Sequence, residues 1–249
     1  MTPLPGLTRT RFRTRHALIT PDGHVSSLVP GIEGVRVIAH ITPAIGAGFV
    51  QSTLLFEPTG RALFAAGPDE YVFFVQEGSV EARIEGKLHF LTANSYLYLP
   101  PQIGAEISAT GATARLISFQ KTFVSLPKMA APALLIGHAD KIPGQPFLGN
   151  PKALLQVLLP DQLGFDLAVN IFTYQPGATL PFVETHVMEH GLIMLSGQGI
   201  YRLEDDWYPV TAGDVIWMAP YCPQWFVAIG DTPASYLYYK DVNRSLLTP

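Results

Sequence analysis

Glu184, His186 and His190 fall within seven residues of one another, in the stretch 177–197, GATLPFVETHVMEHGLIMLSG. Two imidazoles and a carboxylate converging on one point hold a divalent transition metal and leave coordination positions open for water or substrate. Their spacing permits convergence if strands carry them. Side chains two apart on an extended strand project to the same side, so Glu184 and His186 project together if residues 181–186 form a strand. After a short turn over residues 187–189, His190, Leu192, Met194 and Ser196 share one face of the next strand. If those two strands pair, His190 meets the other two side chains. The stretch reads as a metal site.

Strands must supply the frame, and the chain is punctuated for them. It holds 22 Gly and 22 Pro, which separate short runs rich in Val, Ile, Leu, Phe and Tyr, the pattern of an all-β barrel or sandwich. Candidate strands cover residues 35–41, 49–56, 70–77, 79–84, 95–99 and 115–120, then 153–158, 165–174, 191–195, 199–203, 214–218, 224–228 and 235–240. No long amphipathic helix is visible. Residues 1–34 read as an arm with loose strands, and residues 122–149 as a linker.

The sequence also repeats itself. GPDEYVFFVQEGSVEARIEGKLHFLTANSYLYLPP around Glu70 and VMEHGLIMLSGQGIYRLEDDWYPVTAGDVIWMAP around Glu189 share strand, Gly turn, strand, charged hairpin, strand and a closing Pro. A repeat longer than about 100 residues implies a duplicated domain, not a solenoid. The economical division is one β-unit over residues 1–145 and a second over 146–249. The first has no His between His40 and His89, and Glu70 alone sits near the position equivalent to His190. It reads as structural and metal-free.

Composition sets the outer limits. The 249 residues carry 48% hydrophobic and 11% aromatic side chains, ample for packed cores. A net charge of −4, with Arg9, Arg11, Arg13 and Arg15 only loosely gathered, makes no electrostatic case for nucleic acid. Those arginines read as a solvated arm. The single cysteine, Cys222, excludes an intrachain disulfide and reads as core packing. No stretch approaches 18 uninterrupted apolar residues. The expectation is a soluble, cytoplasmic protein with no membrane partner.

Gly177, Glu184, His186, His190 and Gly197, followed by Gly213, Pro220 and Gln224, resemble the two motifs of the cupin superfamily. The usual pattern there is Gly, His-x-His, Glu and Gly, then Gly, Pro and a last His. Here Glu184 stands for the first His, His190 for the Glu and Gln224 for the last His. With that permutation, EHGLIMLSGQGIYRLEDDWYPVTAGDVIWMAPYCPQW and the ending YLYYKDVNR resemble the bicupin (S)-ureidoglycine aminohydrolases of purine degradation. The likeness is close over the second half and looser over the two-unit layout. It implies an all-β bicupin of two tandem jelly-roll-like cupin barrels, assembled as a homo-oligomer. It further implies one manganese ion per chain, held in the second barrel by Glu184, His186, His190 and Gln224. Tyr201, Tyr236 and Lys240 are implied to contact substrate, together with Glu184.

Part of this can be read from the residues themselves. Two imidazoles, a carboxylate and an amide oxygen, with no thiolate, suit a harder divalent ion. On the last strand Tyr236, Tyr238 and Lys240 share one face by period two. A lysine beside tyrosines suits a pocket for a small acid; the alternative is a lysine at the strand's solvent end. Tyr238 is left outside the site, Trp207, Trp217 and Trp225 are assigned to core or interface, and Arg202, Glu204, Asp205 and Asp206 to a solvated hairpin. The activity implied is metal-dependent hydrolysis of (S)-ureidoglycine to (S)-ureidoglycolate and ammonia, with Glu184 and Lys240 nearest to move the protons. The alternatives are another metal-dependent cupin enzyme (an oxygenase or isomerase on a small acid) or a bicupin that binds a small ligand without catalysis.

Overall fold

A computed structural model describes residues 7–27, 29 and 31–244. Among them the helices are single 3-10 turns at Pro21–Gly23, Pro43–Ile45 and Ala139–Lys141, and none is long and apolar enough to cross a membrane. The rest of the regular structure is antiparallel β. It forms two compact units, one over residues 25–142 and 162–166, the other over residues 7–24, 143–161 and 167–244. The bounds differ from the sequence division at 145/146. Residues 7–24 of the arm belong to the second unit, and residues 162–166 belong to the first.

In the first unit one nine-stranded sheet curls over its own core. The long strand Val50–Phe64 makes this possible: its first half pairs with Ala114–Thr122 and its end with Ala105–Ala109. Inward positions alternate as period two requires, so that Leu54, Phe56, Phe73, Val75, Leu97, Leu99 and Leu116 form one buried cluster. The stretch expected as a linker is partly strand, because Leu135–His138 adds to this sheet beside Ser95–Leu99.

Glu70 sits on the opposite face of the sheet from that cluster, and it is fully buried. Tyr98 donates a hydrogen bond to its Oε2 at 2.7 Å. Neighbouring Asp166 accepts from Lys121 Nζ at 2.5 Å and from the Val124 amide at 2.8 Å. Two carboxylates cannot share such a site fully ionised. Burial first, and the hydrogen-bonded Asp166 second, push Glu70 up to about 9. Burial also pushes Asp166 up, but its hydrogen bonds from Glu70 and Lys121 outweigh this and hold it below the ordinary carboxylate range. Glu70 is thus a neutral acid at physiological pH, beside an ionised Asp166 paired with Lys121.

The second unit packs an eight-stranded sheet against a three-stranded one formed by Gln198–Leu203, Asp206–Thr211 and Gln224–Ile229. The core between them takes Phe172, Leu192, Met194, Ile216 and Met218 from the larger sheet and Leu203, Val210, Phe226 and Ala228 from the smaller. Each large side chain among these, fully buried, contributes about 1.5–3 kcal/mol. Cys222 belongs to this core, and burial pushes its thiol up to about 11, so it is inert packing.

The arm is a strand of this unit and is not a solvated extension. His16–Ile19 pairs with Val215–Met218, and three of the arm's arginines, each still exposed, meet acids, two on the hairpin and one, Asp214, beyond it. Arg9 forks onto buried Asp214 at 2.8 and 2.9 Å, Arg13 reaches Asp206 at 3.0 Å and Arg15 reaches Glu204 at 2.8 Å. Behind them buried His16 bonds Tyr208 at 2.9 Å and Glu204 at 3.1 Å.

Candidate active site

The segment bearing Glu184 and His186 is not a regular strand, contrary to the expectation for residues 181–186; it holds a single isolated bridge, Glu184 to Gln224. Pro181 removes a backbone donor at its start. The bridge is nonetheless enough. The Glu184 amide donates to the Gln224 carbonyl at 2.8 Å and the Gln224 amide to the Glu184 carbonyl at 2.9 Å, while the Tyr221 amide donates to the His186 carbonyl at 2.7 Å. Directly opposed residues of an antiparallel pair present their side chains on one face, so Glu184 and Gln224 point the same way. His190 arrives from elsewhere. Its strand, His190–Ser196, does not pair with residues 181–186 but lies between Val215–Met218 and Ala234–Asp241.

These elements enclose a cavity of about 140 Å³. His186 Nε2 lies 3.1 Å from His190 Nε2 and 3.1 Å from the side-chain amide of Gln224. Glu184 lines the same cavity. Among the described residues no three His, Cys, Asp or Glu side chains are gathered closely enough to hold an ion by themselves; Gln224 is the third polar side chain beside His186 and His190. The spacing fits a metal: donors about 2.1 Å from one ion and at right angles to each other sit about 3.0 Å apart. Gln224 turns its Nε2 toward His186 and its Oε1 toward the Tyr201 hydroxyl; it would offer its oxygen to an ion beside His186 with the amide turned over.

Electrostatics keep these donors free of protons where that matters. Burial first, and then the Lys240 charge, lower the pKa of His186; burial, His186 and Lys240 hold His190 well below the usual histidine range. Both imidazoles are therefore neutral, with lone pairs available for a metal. Burial raises Glu184, and Lys240 works against that rise.

Lys240 is directly opposite His190 across the strand pair and lines the cavity with Tyr201 and Tyr236. Lys240 is thus half-buried on the cavity wall. Tyr201 donates toward Gln224 Oε1 at 3.4 Å. Tyr236 bonds Tyr174 through their hydroxyls at 3.2 Å. Burial leads the causes that hold both Tyr201 and Tyr236 well above the ordinary tyrosine range, so each is a neutral hydroxyl.

Sequence reasoning missed several residues of the wall, Tyr238 and Phe147 among them. Tyr238 lines the cavity beside His190, at 5.8 Å between ring centroids; its signal was the alternation that placed it between Tyr236 and Lys240. Phe147, from the supposed linker, also lines it and packs edge-on against Phe172 at 4.9 Å, and no local pattern marked it. None of the three tryptophans lines the cavity; Trp217 donates to Glu189 at 2.7 Å and Trp225 to the Leu180 carbonyl at 2.8 Å.

Residues 170–239 match the cupin domain family, and two such β-units in one chain define a bicupin. Similarity to characterised proteins narrows this. The chain is 40% identical to the (S)-ureidoglycine aminohydrolase of Arabidopsis thaliana over 247 residues, covering 98% of this chain and 81% of that one. It is 35% identical to the (S)-ureidoglycine aminohydrolase of Escherichia coli (strain K12) over 234 residues, covering 92% and 89%. The crystal structure of protein Ylba from E. coli superposes with a TM-score of 0.85 at 33% identity, over 96% of both chains. This chain belongs to the (S)-ureidoglycine aminohydrolase family.

Proposed function

We propose that the chain hydrolyses (S)-ureidoglycine to (S)-ureidoglycolate and ammonia, a step of purine breakdown, at a manganese ion held by Glu184, His186, His190 and Gln224. The observation that carries this reading is the meeting of His186, His190 and Gln224 at 3.1 Å in a cavity that Lys240 also lines. Neutral imidazole, carboxylate and amide donors without thiolate suit a harder divalent ion. When bound, that ion supplies Lewis acidity and a water of lowered pKa.

The chain's own residues supply the rest. The reaction breaks the bond from the central carbon to the amine and forms one from that carbon to a water oxygen; the water loses a proton and the departing amine gains one. Lys240 is a cation on the cavity wall and can give its proton to the amine. Glu184, a half-buried carboxylate whose pKa burial raises, can take the proton from water through an oxygen not engaged by the metal. Tyr201 and Tyr236 offer neutral hydroxyls to the carboxylate group. Phe172, Leu180 and Met218 form the apolar part of the wall, which limits water around the reacting carbon. Held on one side by these groups, the substrate meets water from a single face, and the product keeps one configuration.

The test is ammonia release from freshly generated (S)-ureidoglycine by purified protein, before and after chelation and after return of manganese. Release that is lost on chelation and recovered with manganese is the expected result. Protein that holds its metal and releases no ammonia above the uncatalysed rate overturns the reading. We further propose that the chain works as a homo-oligomer, since the first unit's sheet leaves edge groups that need covering.

A further inference from the structure

Asn170 and Tyr238 are opposed across the strands Leu167–Tyr174 and Ala234–Asp241, so their side chains share the cavity-facing side of the sheet. Both are buried, at 3% and 7% exposure. Asn170 Nδ2 donates to the Tyr238 hydroxyl oxygen at 3.0 Å, and Asn170 Oδ1 is buried without a hydrogen-bond partner. The Tyr238 ring is fixed by stacking on Phe172 at 5.8 Å and by Tyr236 edge-on at 5.9 Å.

The direction of that hydrogen bond decides what Tyr238 can do. A hydroxyl has one proton to donate and two lone pairs to accept with. Asn170 occupies an acceptor position and leaves the proton to be aimed into the cavity. A buried polar arrangement of this kind costs about 1–3 kcal/mol per unsatisfied group, so it is retained where a ligand completes it. In the first unit the residues in the same register are Ser52 and Ser118, too short to present a hydroxyl at that depth. The pair accompanies the cavity, not the sheet.

We infer that Tyr238 is a further specificity-determining residue, donating its hydroxyl proton to the ureido carbonyl oxygen of the substrate, and that Asn170 is the positioning residue that aims it. This rests on the proposed reading of the site. With Lys240 and the metal engaged by the carboxylate and amine end, the ureido carbonyl is the acceptor left to be recognised.

Two ligands of the same size and shape isolate the interaction: N-carbamoylglycine, and 4-methylpentanoate, which replaces the ureido group by a branched alkyl group. Their binding to the full metal-containing protein is measured by calorimetry, for wild type and Tyr238→Phe, with metal content checked in each. A neutral hydrogen bond is worth about 0.5–1.5 kcal/mol, so Tyr238→Phe should weaken N-carbamoylglycine about tenfold and leave 4-methylpentanoate within about twofold. Asn170→Asp reverses the bond, taking the hydroxyl proton for itself; it should weaken N-carbamoylglycine as much as Tyr238→Phe does and add less than about twofold in that background. Equal weakening of both ligands, no weakening of either, additive losses in the double variant, or no binding of N-carbamoylglycine to wild type overturns the inference. Should Asn170→Asp fail to fold, the Tyr238→Phe arm decides alone. Selective loss in Tyr238→Phe, in a wild type that releases no ammonia from ureidoglycine, sinks the hydrolase reading and leaves the ureido contact standing.

Discussion

Replacing Glu70 by glutamine should flatten the alkaline decline in stability of this protein. In an unfolded chain a glutamate releases its proton near 4.5, whereas in the folded chain Glu70 keeps it to about 9. Between those values the folded state binds one proton more than the unfolded state. Stability from this group is therefore complete below the unfolded value and is lost as pH rises through the folded one. One proton corresponds to about 1.4 kcal/mol per pH unit, so from about pH 6.5 to about pH 8.5 wild type should lose up to about 2.7 kcal/mol through Glu70. For chains of this size that is about 5–10 °C in Tm. The glutamine side chain has the shape of the neutral acid: its carbonyl accepts from Tyr98 and its amide donates to Asp166, with nothing left to titrate. The assay is thermal unfolding of wild type and Glu70→Gln across that range. His16, His186 and His190, all lowered chiefly by burial, make stability rise with pH up to the ordinary histidine range. They are common to both proteins and cancel in the difference. The two Tm curves should meet below about pH 4.5 and separate steadily from about pH 5 to about pH 9. Parallel curves from about pH 6.5 to 8.5 refute the assignment of a neutral Glu70.

The same Glu70→Gln protein should keep its turnover per bound metal, and a hundredfold loss without unfolding would mean that the first unit takes part in the chemistry. Elemental analysis should find about one divalent ion per chain, lost in His186→Ala plus His190→Ala; two ions, or an unchanged content, would break the donor assignment. Lys240→Met keeps the apolar stem and removes the charge, so kcat should fall about 10²–10⁴-fold, the usual range for a lost general acid, whereas a rise in KM alone would make Lys240 a substrate anchor only. Arg9→Ala strips the fork from buried Asp214 and should cost about 1–3 kcal/mol in thermal melts, while Arg11→Ala, whose guanidinium bonds only local carbonyls, should stay within about 0.5 kcal/mol of wild type.

What could be read in the sequence and what could not divides along a physical line. Strand positions and the shared faces of Tyr236, Tyr238 and Lys240 follow from a period of two, which is a local property of the chain. The route by which Glu184 meets His190 is not local. It depends on the Glu184–Gln224 bridge and on a strand pairing that puts Lys240, fifty residues on, opposite His190. The arm was misjudged for the same reason. Arginines at every second position look like a free arm until Asp206, Asp214 and Glu204, some 200 residues away, are found to receive three of them, exposed as these remain.

The duplication carries the sharper lesson about register. Gly78 and Gly197 both turn their hairpins at positive φ, 75° and 69°, where an added Cβ would stand 2.4 or 2.5 Å from a carbonyl oxygen; they anchor the alignment of the two units. Counting back eight residues from each reaches Glu70 and Glu189, so the equivalent of His190 is Tyr71 and not Glu70. The pairing agrees. Tyr71 opposes Leu99 and Gln120 in the first unit, as His190 opposes Met218 and Lys240 in the second. A shift of one residue exchanges the two faces of a strand. Read one residue off, Glu70 looks like the remnant of an inward ligand. In register, it is the partner of Glu189, and both keep the same outward role: Glu70 accepts from Tyr98 and Glu189 from Trp217, which occupy the same place on adjacent strands. The two units thus share the acid–aromatic pair on one face of the sheet and differ on the other. There Tyr71 and Gln120 fill positions that His190 and Lys240 hold, and the first unit has no imidazole to offer a metal at that place.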